Sequence, residues 1–164
     1  MFQVHEIVIH PTFGACEIQD IRSEKFAGTP ERYYVLTPLN DALKSKIFVP
    51  VKSDKVALRA PVSKTQIDEI LEHVHHLPSL WVADANQRAA AFDEILKAQD
   101  HERTLKMIGE LLEHRQKALK ERKKPRQSDE RLLQEAEKKV QGEFSYALGL
   151  DEEATVRYIV ERVG

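Results

Sequence analysis

Residues 55–74, KVALRAPVSKTQIDEILEHV, contain the change of periodicity on which the fold turns. Lys55 to Arg59 reads as the last of several short strands. Beyond Pro61, Ser63 and Gln66 form a capping-box pattern, and Ile67, Ile70, Leu71 and Val74 recur at helical spacing. The joint therefore separates an expected domain at 1–59 from a second at 60–164. The class is α+β: a small antiparallel sheet or barrel, then an all-helical domain of five helices.

Upstream of the joint, Val4 to Ile9 is mostly β-branched and is broken by Pro11 and Gly14. Ala15 to Ile21 alternates loosely, with Cys16, Ile18 and Ile21 as inward positions. Gly28-Thr29-Pro30 marks a turn before the strand Arg32–Leu36. Pro38 with Asn40-Asp41 marks another before Lys46–Val51. Strands this short and regularly spaced suggest a small antiparallel barrel or rolled sheet with a thin core.

Downstream, Pro78 ends the first helix. A second is expected from Ala85 to Ala98, with Ala89, Phe92, Ile95 and Leu96 inward. Asp100 caps a third, carrying Leu105, Ile108, Leu111, Leu112 and Leu119, which ends before Pro125. Ser128 is expected to cap a fourth, with Leu132, Leu133, Ala136, Val140, Phe144 and Leu148 inward and Gly149 as its stop. Asp151 opens a fifth, with Val156, Ile159, Val160 and Val163 inward.

At 41% apolar and 32% charged, the composition is that of a globular protein with a heavily charged surface, not a disordered one. No apolar run approaches the roughly 20 residues of a membrane span, and the N-terminus lacks signal-peptide features. One cysteine, Cys16, excludes an internal disulfide and reads as a packed small residue. A cytoplasmic setting is expected. The net charge of −2 argues against a uniformly basic nucleic-acid binder. Yet Arg115, Lys117, Lys120, Arg122, Lys123, Lys124 and Arg126 crowd one stretch, diluted by Glu121. That run is either a phosphate-contacting face or a solvated helix end whose cations offset the dipole.

Nothing in the chain suggests catalysis. The Gly-rich phosphate loop, the nucleophile elbow and the zinc-protease helix motif are missing. His73, His75 and His76 crowd one helix end, but only His73 and His76 have ligand spacing, and no Cys pair is near. No metal and no cofactor is expected, although convergence of His73 and His76 with a carboxylate would favour a metal-dependent enzyme. Trp81, the one tryptophan, lies in Leu77-Pro78-Ser79-Leu80-Trp81-Val82. It is either a buried brace between two helices or an exposed ring that inserts between base steps.

Several segments, in order, resemble the CarD/CdnL family. Phe2 to Gly14 is similar to that family's opening, Phe-x-x-Gly-Asp-x-Val-Val-Tyr-Pro-x-His-Gly, with His5, Glu6, His10 and Phe13 departing from it. Arg32 to Leu36, Phe48 to Val51 and Lys55 to Arg59 follow. In the helical half, Phe92 to Asp100 (FDEILKAQD) and Ser128 to Glu137 (SDERLLQEAE) resemble further family segments. The resemblance implies a Tudor-like first domain, similar to the polymerase-interacting module of the transcription-repair coupling factor, which docks on the β subunit of bacterial RNA polymerase. It implies a helical domain on promoter DNA, where a tryptophan wedged into the minor groove slows collapse of the melted bubble. Trp81 matches that wedge, Arg88 the basic residue after it, and Arg131 a basic position of the fourth helix. Phe48 stands where some members carry a polymerase-contacting arginine, and Glu24 replaces another.

The resulting expectation is a monomeric transcription regulator that binds polymerase and promoter DNA without reading sequence and shifts open-complex stability. Glu24, Tyr34, Lys46 and Phe48 are the expected polymerase contacts, presented from the Arg32–Leu36 or Lys46–Val51 strand edge. Trp81, Arg88, Lys120, Lys123, Lys124 and Arg131 are the expected DNA contacts. The rival is an adaptor that binds polymerase or another protein without touching DNA.

Overall fold

In the computed structural model, which describes residues 1–39 and 41–163, the chain divides into two units, Met1–Pro61 and Val62–Gly164. The division falls just beyond Arg59, which bridges back to Ile9 and so belongs with the sheet.

The first unit is an open antiparallel sheet in the order β1-β2-β3-β4: β1 Ile7–His10, β2 Gly14–Glu24, β3 Glu31–Pro38 and β4 Ile47–Pro50. Alternation sends Val8, Cys16, Ile18, Tyr34, Leu36 and Val49 to one face, where they form the core. A bulge interrupts the alternation in β2. Ile18 pairs with Leu36 but Asp20 pairs with Val35, so Gln19 is the extra residue. The bulge reverses parity, which returns Ile21 to the core side and sends Arg22 outward opposite Tyr33. Burial pushes the Cys16 thiol up to about 11, in keeping with a packed side chain.

The strand expected at Lys55–Arg59 is reduced to the single Ile9–Arg59 bridge. The Ser53 hydroxyl accepts from the amides of Lys55 and Val56 and holds the segment in a turn, while Val56 and Leu58 still cover the core. The first strand begins at Ile7, after His5 takes a positive φ of 73°. Asn40 of the expected Asn40-Asp41 turn lies outside the described residues.

The β1–β2 turn depends on a histidine. His10 is buried, and its Nδ1 accepts from the amides of Thr12 (3.0 Å) and Phe13 (3.2 Å), while Gly14 supplies the φ of 71° that closes the turn. Those bonds need a neutral Nδ1, and burial holds the imidazole below its usual 6.5.

The second unit packs five helices: α1 Lys64–Val74, α2 Ala85–Lys97, α3 His101–Lys120, α4 Gln127–Leu148 and α5 Glu152–Val163. Ser63 and Gln66 form the capping box at α1; Asp84 and Asp100 cap α2 and α3. Gly149, at φ 66°, stops α4 in the left-handed conformation. Ser128 does not cap α4. The N-cap is Arg126 without a side-chain bond, and Asp129 and Glu130 in the first turn offset the dipole instead. The core gathers Ile67, Phe92, Leu105, Met107, Ile108, Leu132, Phe144 and Ile159. Leu119, expected inward, is 57% exposed, because α3 runs on past its packing partners. No helix of the described residues is long and apolar enough to cross a membrane.

The depressed His10 pKa has a defined sign. Above its usual value both states are neutral and the turn contributes fully; below it the unfolded chain takes the proton first and stability falls. Thermal unfolding of wild type and His10→Asn, compared at about pH 7.5 and about pH 5.5, should show the wild-type advantage shrinking at the lower pH. Parallel curves would remove this role for His10.

Candidate functional site

On the first unit, the face opposite the core carries an aromatic cluster. Phe26, in the β2–β3 loop, stands edge-on to Tyr33 and to Phe48, with ring centres 5.1 Å apart in both pairs. The Arg22 guanidinium lies 5.4 Å over the Phe48 ring. It is also within ion-pair distance of Glu24 (2.9 Å) and Asp20 (3.8 Å), though its Nε is not aligned as a hydrogen bond to the nearer carboxylate. Tyr33 is buried beneath the cluster, whereas Phe26 remains 60% exposed.

Beside this cluster lies the free edge of the sheet. The Val51 amide donates to the Arg32 carbonyl at 2.9 Å. In an antiparallel ladder the bonded pairs recur at every second residue, so Val49 and Ile47 also point their backbone groups at β3. Phe48 therefore turns its N–H and C=O to the open edge, while Pro50 has no N–H to offer. Among the described residues, no backbone hydrogen bond reaches Phe48 from that side.

On the second unit, Arg88 and Trp81 form one assembly. Arg88 is 4% exposed. It donates from Nε and Nη2 to the two oxygens of Asp129 (2.9 and 2.8 Å) and from Nη1 to the carbonyls of Val82 (2.7 Å) and Ala83 (3.3 Å). Its guanidinium also lies 4.2 Å from the centre of the Trp81 ring. His114 stacks on the same indole at 3.5 Å and 2°, and Phe92 meets it edge-on at 6.2 Å. Arg88 and His114 are too close to one ring centre to share a face, so the indole is sandwiched between them. Glu110, itself buried, accepts the Leu80 amide with both oxygens (3.1 and 3.0 Å) and holds the chain leading into the tryptophan.

The basic run collects at the turn between α3 and α4. Lys120, Lys123 and Lys124 are all exposed there, where Arg122 takes a positive φ of 57° and the Lys123 amide returns to the Ala118 carbonyl. Lys123 lies 3.4 Å from Glu121. Arg115 is drawn out of the run by a two-pronged pair with Glu130. Arg131, on α4, is exposed but contacts Glu135 (2.9 Å) and Asp93 (3.7 Å).

Residues 2–62 match the family model of the CarD-like/TRCF RID domain. Over those residues the first unit is similar to a CarD-like RNA polymerase-interacting module. The match ends where α1 is about to begin, so the helical unit lies outside it. No curated protein matches the chain.

Within the RID module the four expected contact residues part company. Glu24 and Phe48 belong to the aromatic face, and Lys46 is exposed just before β4. Tyr34 does not belong with them. It is a core residue whose hydroxyl accepts the Phe2 amide at 3.1 Å, because strand parity sends Tyr33, not Tyr34, to the aromatic side. Phe26 and Arg22 were missed by sequence reasoning. An isolated Phe in a loop carries no periodic signal, and the parity of Arg22 depends on the bulge.

The structure also removes Arg88 from the candidate phosphate contacts, since the side chain is buried and all three guanidinium nitrogens donate to Asp129 or to the Val82 and Ala83 carbonyls. Trp81 is held as a brace, with both ring faces covered. The histidine cluster disperses: His73 pairs with Glu102 (3.1 Å) and His75 with the Arg162 carbonyl (2.7 Å). Among the described residues no group of three or more His, Cys, Asp or Glu is placed to hold a metal.

If Arg88 is a clamp, removing its partner should strand a buried charge. Asp129→Ala is expected to cost about 3 kcal/mol of stability and to shift Trp81 emission in the native state. Denaturant unfolding followed by that fluorescence measures both, and a loss under about 1 kcal/mol would rule the clamp out.

Proposed function

We propose that this protein is a transcription regulator that docks on the β subunit of RNA polymerase through its RID module and contacts promoter DNA through its helical unit, changing open-complex lifetime. It is a binding protein and not an enzyme. The observation that carries the reading is the RID match on a unit whose β4 edge still has backbone groups to offer an incoming strand. The exposed lysines at the α3–α4 turn support the DNA half, since several cations on one turn can displace counterions from adjacent phosphates. With Trp81 covered on both faces, the contact proposed is to the backbone and needs no inserted ring.

A second reading has a specific observation behind it. The covered Trp81 and the buried Arg88 leave fewer DNA-facing groups than the residue pattern suggested, which favours an adaptor bound to polymerase alone.

Open-complex lifetime on a promoter, measured with purified polymerase, separates the two. The regulator should change the lifetime, and replacing Lys120, Lys123 and Lys124 together with Ala should remove most of that change. The triple variant should also lower the salt slope of DNA binding by up to about 3. Binding to polymerase with an unchanged lifetime would leave the adaptor standing.

A further inference from the structure

We infer that the RID module grips its polymerase partner through the Phe26–Tyr33–Phe48 cluster, which receives an apolar side chain of an extended segment paired to the β4 edge, and that apolar burial, not ion pairing, supplies most of the affinity. This rests on the polymerase reading given above and specifies the chemistry of its contact.

Three observations carry it. Phe26 is a large aromatic side chain left 60% exposed, yet it is braced edge-on by two other rings at 5.1 Å. A ring fixed in this way has already lost much of the freedom that binding would otherwise remove, so burying it on a partner yields more of its apolar free energy. Secondly, the cluster is continuous with the open edge, because Phe48 contributes its ring to one and its free N–H and C=O to the other. A segment that hydrogen-bonds to Phe48 would project alternate side chains to the aromatic side, one of them beside Phe26. Pro50 confines such pairing to the Phe48 end of the strand.

Charge supplies the third. Arg22 is the cation in contact with the cluster, and it sits among Asp20 and Glu24 while its guanidinium covers Phe48. Its charge is matched within the face, so an acidic patch on the partner would find no unmatched cation in the cluster itself. An apolar residue on an extended strand fits a surface of this kind.

The test uses the full chain and purified core RNA polymerase, with Kd measured at about 50 mM and about 500 mM salt. Wild type should bind with Kd changing less than about fivefold between the two, far less than a contact held by charge would show. Phe26→Ala should weaken binding about tenfold at both salts, measured well below a melting temperature that falls by only a few degrees, since the ring is 60% exposed but still covers Tyr33 and Phe48. Phe13→Ala removes another exposed aromatic of the same unit, 51% exposed in the β1–β2 turn at the other end of β2 from Phe26, and should bind as wild type. If Phe26→Ala binds like wild type, or Phe13→Ala loses as much, the aromatic contact is wrong while polymerase binding stands. A steep salt dependence would likewise overturn it in favour of charge. No binding by wild type at either salt would instead overturn the polymerase reading itself.

Discussion

Strand β3 must be buried on both of its faces, and the rest of the first unit is arranged around that requirement. Tyr34 and Leu36 point into the core and Tyr33 and Val35 point away from it, yet all four are buried. A four-stranded sheet has one core, so the outer pair needs a separate cover. Arg22, Phe48 and the loop residue Phe26 provide it. The cover is thin, and Phe26, on its outside, is consequently left in solvent. An apolar surface beside a free strand edge thus follows from the same shortage of core that makes small sheets marginal, and it gives a partner protein something to complete.

The helical unit meets the opposite problem, a charge placed inside. A guanidinium 4% exposed would be strongly destabilising alone, and it is tolerated because Asp129 accepts two of its bonds and two backbone carbonyls accept others. The same group lies 4.2 Å over the Trp81 ring, on which His114 also stacks. A single polar assembly therefore ties the loop before α2 to α3 and α4. A tryptophan held in this manner contributes rigidity at the helix junction. Of the expected DNA contacts, Lys120, Lys123 and Lys124 remain exposed at the α3–α4 turn, where the helix dipole also favours cations.

The two units consequently offer different physics to their surroundings. The RID module presents a braced aromatic face and a short open edge, which suit a protein strand. The helical unit presents lysines on a projecting turn, which suit a phosphate backbone or open solvent.

The order of elements, the capping box at Ser63–Gln66, the Gly149 stop and most of the helical core were determined by sequence alone, because period, caps and helix stops are local properties. The resemblance to the RID family was likewise legible, through short segments in a fixed order. Which side of the sheet each residue occupies was not. One extra residue at Gln19 reverses the parity of everything after it, separating Arg22 from the core and leaving Ile21 in it. The fate of Arg88 was hidden for a related reason. Its partner Asp129 lies 41 positions away, and only the packing of α2 against α4 decides whether a basic residue after a tryptophan reaches for solvent or closes an internal ion pair. Local free energies select strands, helices and their ends; long-range desolvation and register select which side chains remain free to act.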